Sequence, residues 1–288
     1  MIPVFLNPGA GRADELRKVI RGVDSLALHT AAPAEMTQAA RAAIAGGASR
    51  IVAAGGDGTI SAIAAAVAGT ECELAVIPAG TLNHFAKDHE IPLDLVEACA
   101  LAASGQRVMP VDVAYVNGRM FLNTSSVGLY ANFVKVRDRL EPVFGYWLGT
   151  MLSTIRTLVR ARPFSVRFEA DGIEHTYTTP LVFIAVGERE LRAPTLGGRV
   201  AHGRPGLHVM VVRGRTRARL VALSLAATTR GTDAIAATPH LDSLFVQACR
   251  IEQRHETVAV DGEILKIASP LEYRWLGNAL RLVVPDSG

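Results

Sequence analysis

The chain has 288 residues, a formal net charge of +3 and 49% hydrophobic residues, which is enough to bury a sizeable core in one or two domains. No continuous apolar run reaches the roughly 18 residues of a membrane span, and an aromatic content of 6% with so small a charge disfavours nucleic-acid binding. The sequence favours a cytoplasmic protein without disulfides. Its three cysteines are scattered, at Cys72, Cys99 and Cys249, and the apolar run Met1–Leu6 has no charged leader before it.

The first third of the chain alternates short apolar runs with amphipathic segments. This pattern predicts a parallel sheet with helices on both faces, an α/β domain. The predicted strands are 1–6, 25–29, 51–54 and 74–77, and the predicted helices are 14–21, 35–45, 60–67 and 93–103.

A glycine-rich corner, Gly55-Gly56-Asp57-Gly58-Thr59, joins the third predicted strand to the helix that begins near Ile60. Such a corner directs backbone N–H groups and the positive end of a helix at one point, which favours an anion. Asp57 would repel a phosphate unless a divalent cation or a reacting hydroxyl lay between them, so the corner indicates Mg²⁺-nucleotide chemistry. The alternative is a glycine turn with a solvated aspartate. The spacing matches neither the dinucleotide-binding fingerprint nor the P-loop.

Two further turns follow strands of the same predicted sheet. Asn7–Gly11 follows the first strand and Pro78–Asn83 follows the fourth, while Thr30 closes the second. Because ligands of parallel sheets bind beyond the carboxyl ends of the strands, these segments are expected to border one crevice. For Asn7–Gly11 the alternative is a simple tight turn.

Beyond residue 106 the pattern changes to many short strands separated by turn signals, which indicates a β-rich, sandwich-like second domain. We therefore divide the chain into a nucleotide-binding α/β domain at 1–110 and a β-rich domain at 111–278, the final strand at 279–288 returning to the first. Asn117-Gly118 and Asp171-Gly172 are predicted hairpin turns. The predicted strands are 107–115, 120–124, 165–169, 174–179, 181–186, 207–212, 244–251, 257–260, 271–275 and 279–284.

Two helical patterns, at 132–140 and 145–160, interrupt the β-rich half. Each fits either a membrane-surface element or an amphipathic helix that covers the sheet. A row of arginines follows the strand at 207–212 and fits either anionic headgroups or a solvated basic edge: Arg213, Arg215, Arg217 and Arg219.

Four blocks in order along the chain resemble the signature of the diacylglycerol kinase catalytic domain, which is shared with sphingosine kinases, bacterial lipid kinases and, more distantly, NAD kinases. The blocks are Asn7–Gly11, Gly55–Thr59, Pro78–Ala86 and Asp261-Gly262-Glu263. The last block taken alone favours a hairpin turn, since Asp-Gly is a strong turn former.

The resemblance implies ATP and Mg²⁺ as cofactors and a nucleotide site in the first domain. The residues it assigns to ATP are Asn7, Pro8, Gly9, Ala10, Gly11, Thr30, Gly55, Gly56, Gly58, Thr59, Ile60, Ser61, Ala62, Gly80, Thr81 and Asn83. It implies that Glu263 or Asp261 is the general base, with Glu263 preferred, because phosphorylation of an alcohol needs a carboxylate to accept the hydroxyl proton. Asp57 is assigned to Mg²⁺-ATP or to the substrate hydroxyl. These acids are expected across the cleft from the glycine corner.

Two positions depart from the family pattern. His84 stands where many members carry aspartate, so contacts of that carboxylate are not carried over. Pro205 stands where bacterial lipid kinases hold an accessory Mg²⁺ through an aspartate, and since proline has no carboxylate this metal site is predicted to be absent or altered.

The function expected from this resemblance is an ATP-dependent lipid kinase that acts on a diacylglycerol-like or sphingoid-like hydroxyl. A lipid substrate implies transient contact of a cytoplasmic protein with a membrane surface, and a homodimer is left open. Two alternatives stay open: phosphorylation of a soluble substrate, as by an NAD kinase, and a catalytically weak module that binds lipid or nucleotide.

Overall fold

The computed structural model describes residues 1–128, 163–170, 172–190, 198–200, 202–212, 241–253 and 257–286. The chain divides into two compact units. The first comprises Met1–Val113 and Gly277–Gly288, and the second comprises Ala114–Leu276. The predicted helices at 132–140 and 145–160, the arginine row at 213–219 and Asp171 lie outside the described residues.

The first unit is an α/β layer whose parallel strands have the spatial order Leu26–Thr30, Ile2–Leu6, Arg50–Gly55, Glu73–Pro78 and the end of Leu271–Val283. Its core consists of small and branched apolar side chains from the strands, such as Val4, Val52 and Ile77, against helix residues such as Leu16 and Ala98. The elements are β1 (Ile2–Leu6), α1 (Ala13–Arg21), β2 (Leu26–Thr30), α2 (Pro33–Ala45), β3 (Arg50–Gly55), α3 (Asp57–Val67), β4 (Glu73–Pro78), α4 (His84–Asp88) and α5 (Leu95–Ser104).

The strand register brings the carboxyl ends of β1 to β4 to one edge of this sheet. Leu6 lies opposite both Thr30 and Ala54, and Gly55 lies opposite Pro78. Because Leu6, Thr30, Gly55 and Pro78 end their strands, the segments that follow them begin side by side.

The second unit contains antiparallel strands. One set has the spatial order Leu241–Val246, Leu207–Val212, Leu181–Val186, Thr124–Gly128, Thr257–Val260 and Glu263–Lys266. In another set Phe164–Ala170 pairs with Ile173–Thr179 and with Ala248–Glu252, which in turn pairs with Leu271–Val283. The strands are β5 (Val108–Val116), β6 (Arg119–Phe121), β7 (Thr124–Gly128), β8 (Phe164–Ala170), β9 (Ile173–Thr179), β10 (Leu181–Val186), β11 (Leu207–Val212), β12 (Leu241–Val246), β13 (Ala248–Glu252), β14 (Thr257–Val260), β15 (Glu263–Lys266) and β16 (Leu271–Val283), of which β5 and β16 begin in one unit and end in the other.

Side chains from both sets of strands share one core cluster, which includes Phe168 and Tyr273 from one set and Val182 and Val209 from the other. Two antiparallel sheets that bury a common layer of side chains form a sandwich. The predicted fold class, a parallel α/β domain followed by a β-rich domain, is confirmed.

Strand predictions are wrong in their bounds at three places. The predicted strand 120–124 spans the end of β6 at Phe121 and the start of β7 at Thr124, which lie in different sheets. The apolar run 244–251 is not one strand, because the chain leaves β12 at Val246, passes Gln247 and enters β13 in the other sheet. Conversely, the two predicted strands at 271–275 and 279–284 are a single strand, β16, although it contains Gly277 and Asn278, the latter with φ of 53°. The Asn117-Gly118 turn is confirmed, with φ of 45° and 80° as a two-residue hairpin turn requires.

None of the helices in the described part of the chain has both the length and the hydropathy that would let it span a membrane.

Candidate active site

The corner between β3 and α3 leaves the start of a helix open to an anion. Helix α3 begins at Asp57, three residues before the predicted start at Ile60, and Gly56 occupies the N-cap position without a side-chain cap. The N–H groups of a first helical turn have no carbonyl partner within the helix. Without a capping side chain, they and the positive end of the helix form a site that suits a phosphate.

Gly55 and Gly80 are glycines for reasons of packing. A Cβ atom on Gly55, whose φ is +156°, would lie 2.7 Å from Thr59 Oγ1, and one on Gly80 would lie 2.7 Å from the Cα atom of Gly56. The β3–α3 corner and the turn after β4 therefore touch backbone to backbone. This contact brings Gly56 and Gly80 together, and their binding of ATP stays a prediction.

The turn after β4 is closed by an asparagine side chain that both accepts and donates a hydrogen bond. Asn83 Oδ1 accepts a hydrogen bond from the Gly80 N–H at 2.8 Å, and its Nδ2 donates to the Gly80 carbonyl at 2.9 Å. Asn83 has φ of 51° and is buried, whereas Thr81 is exposed. In this unit Thr81 thus presents a hydroxyl that a ligand can reach, while Asn83 shapes the turn.

Asp57 belongs to α3 but caps a different helix. Its Oδ1 accepts from the Phe85 N–H at 3.2 Å and its Oδ2 from the His84 N–H at 3.3 Å, both at the start of α4. The charge that would repel a phosphate is thereby partly compensated by two backbone donors. Helix α4 was not predicted; the imidazole of His84 is exposed and its backbone N–H is the capped group.

The segment after β1 is an exposed turn organised by Asn7. Asn7 Oδ1 accepts from the Gly9 N–H at 2.9 Å, and the Asn7 carbonyl accepts from the Ala10 N–H at 3.1 Å. Pro8, Gly9 and Gly11 are exposed, as is Thr30 at the end of the neighbouring strand. Asn7–Gly11 follows Leu6, which is paired with Ala54 just before the glycine corner.

The residues after the corner point partly inward. The Ile60 side chain is fully buried in the core, and Ser61 and Ala62 are half-buried. The Ala62 carbonyl accepts a hydrogen bond from the Thr37 hydroxyl at 3.0 Å. Of these three residues, Ser61 alone carries a side-chain group that can donate to or accept from a phosphate.

Asp261 is fixed by backbone donors at the turn between β14 and β15. Its carboxylate accepts hydrogen bonds of 2.8, 2.9 and 3.0 Å from the N–H groups of Leu122, Asn123 and Thr124. Its own N–H donates to the Thr124 carbonyl at 2.8 Å. Asp261 has φ of 45° and Gly262 has φ of 86°, so the predicted hairpin turn is present and its first residue is immobilised.

Glu263 is held differently. It begins β15, its side chain is 53% exposed, and its Oε2 lies 2.8 Å from Nη2 of Arg119, which is 54% exposed. The two acids of this turn therefore differ in their surroundings. Asp261 accepts hydrogen bonds from three backbone N–H groups, whereas Glu263 is exposed and makes an ion pair with Arg119.

Arg189 is a buried cation that the sequence did not single out. Its guanidinium Nη2 lies 3.4 Å from the carbonyl oxygens of Asn123 and Val186. The N–H groups of Asn123 and Thr124 also bind the Asp261 carboxylate. Arg189 therefore contacts the same backbone segment that holds this carboxylate in place. A lone arginine after a strand carries no sequence signal of this role.

His208 lies beside Arg189, and both of its ring nitrogens make hydrogen bonds. Its Nδ1 accepts from the Arg189 backbone N–H at 3.1 Å, so Nε2 carries the proton toward Ser243 Oγ at 2.7 Å. Burial lowers the pKa of His208 to about 4; the negative charge of Glu188 opposes this shift, and the positive charges of Arg189 and Arg204 add to it. His208 is therefore neutral and structural at neutral pH.

The segment with Pro205 supplies no carboxylate at that position. Its neighbour Arg204 donates its backbone N–H to Glu188 Oε2 at 2.8 Å, and the Gly206 carbonyl accepts from the Gly187 N–H at 2.8 Å. Within the described ranges no three His, Cys, Asp or Glu side chains are grouped as metal ligands. The loss of the accessory Mg²⁺ site stays a prediction.

The glycine corner belongs to the first unit and the acid pair to the second. That both act on one phosphoryl group stays a prediction.

Residues 2–116 match the family model of the diacylglycerol kinase catalytic domain. The matched stretch contains the Asn7–Gly11 turn, the Gly55–Thr59 corner and the Gly80–Asn83 turn, whereas the two acids at 261 and 263 lie beyond it.

Relatives of known name carry lipid-kinase descriptions. The chain is 36% identical over 195 residues to a probable lipid kinase YegS-like protein of Pectobacterium atrosepticum, covering 64% of each chain. It is 31% identical over 181 residues to a diacylglycerol kinase of Bacillus subtilis, covering 59% of each. A probable lipid kinase YegS-like protein of Pseudomonas aeruginosa is 44% identical over 88 residues, which is 30% of this chain and 28% of that relative. The matches thus span less than two thirds of these relatives' lengths.

Solved structures share the fold. One from Bacillus anthracis str. Sterne superposes with a TM-score of 0.76 at 24% identity, over 99% of this chain and 97% of its own. A diacylglycerol kinase from the same strain gives a TM-score of 0.67 at 21% identity, over 99% and 96% of the chains. At these identities the likeness establishes the architecture and not the activity.

Proposed function

We propose that this protein is an ATP-dependent lipid kinase that transfers the γ-phosphoryl group of ATP to a hydroxyl of a diacylglycerol-like or sphingoid-like lipid. The observation that carries the proposal is the uncapped start of α3 at the Gly55–Thr59 corner, inside the residues that match the diacylglycerol kinase catalytic domain. An open helix start among glycines suits a phosphate, and the family match supports a nucleotide as the source of that phosphate.

In this proposal the phosphates of ATP contact the first-turn N–H groups of α3 and the exposed turn at Asn7–Gly11. Thr81 contributes its exposed hydroxyl. Mg²⁺ neutralises the developing negative charge when it is bound with ATP. Asp57 is half-buried with one hydrogen bond on each carboxylate oxygen, so lone pairs stay available, and a single carboxylate suits an ion held mainly by phosphates and water.

Glu263 is the proposed general base. Its carboxylate accepts the proton of the lipid hydroxyl, the hydroxyl oxygen forms a bond to the γ-phosphorus, and the bond from that phosphorus to the bridging oxygen of ADP breaks. Glu263 suits this role better than Asp261, because its side chain is exposed and bonded to a side chain rather than to three backbone groups. Asp261 instead fixes the turn from which Glu263 projects.

A lipid acceptor places this reaction at a membrane surface, so we propose that a cytoplasmic protein makes transient, peripheral contact there. The homodimer also stays a proposal.

The test is to incubate the purified protein with Mg²⁺-ATP and a total lipid extract and to identify phosphorylated lipids by mass spectrometry. Glu263→Gln removes the proposed base and should abolish the product. Glu252→Gln is the matched control, because Glu252 is also an exposed, arginine-paired glutamate on a strand of the same unit. The control should retain full activity.

The other outcomes separate the alternatives. Phosphorylation of NAD but of no lipid would establish the soluble-substrate alternative. Binding of ATP without any phosphorylated product would establish the non-catalytic module. Full lipid phosphorylation by Glu263→Gln would remove Glu263 from the role of base while leaving the kinase in place.

A further inference from the structure

One short passage of the second unit, Arg119–Thr124, contacts both acids of the distant turn. The N–H groups of Leu122, Asn123 and Thr124 bind the Asp261 carboxylate at 2.8 to 3.0 Å. The Arg119 guanidinium binds Glu263 at 2.8 Å. These six consecutive residues thus hold the turn through backbone hydrogen bonds, and they bind its exposed acid, Glu263, through the Arg119 side chain.

The two modes of binding have different consequences. The Asp261 contacts come from the main chain, so the orientation of this carboxylate does not depend on which side chains occupy 122–124. Glu263 has a long flexible side chain and, within the described ranges, Arg119 is its ion-pair partner. Without that partner the side chain would sample several rotamers in solvent, since little else restrains it.

We propose that Arg119 is a positioning residue that holds the Glu263 carboxylate in the orientation from which it accepts the substrate proton. This inference rests on the proposed kinase function. Arg119 binds Oε2 and leaves Oε1 available to the hydroxyl. An arginine suits this task, because it keeps its proton and does not compete as a base. Exposed ion pairs contribute little to stability, so this pair has its effect on geometry rather than on folding.

The experiment compares three variants by their kcat and KM values for Mg²⁺-ATP in lipid phosphorylation. Arg119→Gln removes the ion pair, and Arg119→Lys retains a cation. Arg167→Gln is the matched control, because Arg167 makes another exposed ion pair in the same unit, 3.2 Å from Glu252. All three variants should unfold at the same temperature as the unaltered protein, which checks that the fold is intact.

We expect Arg119→Gln to lower kcat by at least about tenfold, since small misplacements of a catalytic group cost factors of up to about a hundred. The KM for ATP should not change, because Arg119 is not among the residues proposed to bind ATP. Arg119→Lys should recover most of kcat, and Arg167→Gln should leave it unaltered.

The inference is overturned if Arg119→Gln and Arg167→Gln have the same kcat while the unaltered protein phosphorylates lipid. It is also overturned if Arg119→Lys loses as much kcat as Arg119→Gln. If the unaltered protein phosphorylates no lipid, the proposed function fails first and this inference fails with it.

Discussion

Arg189 and Asp261 lie at opposite ends of one peptide group. The Arg189 guanidinium approaches the Asn123 carbonyl oxygen at 3.4 Å, and the N–H of the same peptide group, on Thr124, donates to Asp261 Oδ1 at 3.0 Å. The cation therefore lies at the negative end of the peptide dipole and the carboxylate at its positive end. This arrangement stabilises both charges and fixes the turn that carries Glu263.

Replacing Arg189 with methionine should destabilise the second unit. The substitution keeps most of the side-chain volume but removes the donor to the Asn123 and Val186 carbonyls, which costs about 1–3 kcal/mol for buried polar groups. The measurement is the free energy of unfolding from urea titration. Arg167→Met, at an exposed arginine, is the control and should change it by less than about 0.5 kcal/mol. Equal values for the two variants would contradict the role given to Arg189.

Asp57→Ala should reduce stability and Asp57→Asn should reduce it less. Alanine removes the cap of α4, which costs about 1 kcal/mol, whereas asparagine keeps one acceptor oxygen. Asp94→Ala is the matched control, because Asp94 caps α5 through the N–H groups of Val96 and Glu97. It should cost similar stability yet leave lipid phosphorylation intact, while both Asp57 variants should lose it. Loss of activity in Asp94→Ala would attribute the Asp57 effect to stability alone.

Gly80→Ala should separate the two turns that border the proposed phosphate site. The new Cβ atom would lie 2.7 Å from the Gly56 Cα and 2.9 Å from Asn83 Oδ1, so the backbone must shift at a cost of about 1–3 kcal/mol. Gly11→Ala is the steric control, since no atom lies within 4 Å of its Cβ position. Thermal and urea unfolding should distinguish the pair. A Gly80→Ala protein as stable as Gly11→Ala would show that this contact adapts freely.

His208 should make the protein less stable in mild acid. Burial lowers its pKa to about 4, whereas in the unfolded chain the imidazole takes up its proton near the ordinary value of 6.5. As the pH falls from 6.5 toward 4, the imidazole of His208 binds a proton in the unfolded chain but not in the folded chain. The free energy of unfolding therefore decreases.

The measurement is urea unfolding of the unaltered protein and of His208→Asn between about pH 7 and pH 4.5. Asparagine keeps an acceptor for the Arg189 N–H but does not titrate. Its stability should therefore fall less steeply with pH than that of the unaltered protein, while the carboxylates contribute equally to both. If the free energies of unfolding of the two proteins fell in parallel with pH, the acid destabilisation could not be assigned to His208.

The local patterns predicted much of the fold. The strands Leu181–Val186, Leu207–Val212 and Thr257–Val260 have the predicted bounds, because each is a short apolar run between turn signals. The run 244–251 failed because apolar residues on two sheets that share one core read as a continuous strand. Helix α4 has five residues and no apolar repeat, so nothing in its own sequence indicated it.

The sequence by itself determined the order of the elements, the glycine corner after β3 and the match of residues 2–116 to the diacylglycerol kinase catalytic domain, because periodicity and turn chemistry act over a few neighbouring residues. Only the tertiary structure decided that Asp57 caps α4, that residues 122–124 hold Asp261, and that Arg119 binds Glu263. The last two contacts join residues about 140 positions apart. Such pairs depend on which strands become neighbours, and the patterns within each strand do not specify that choice.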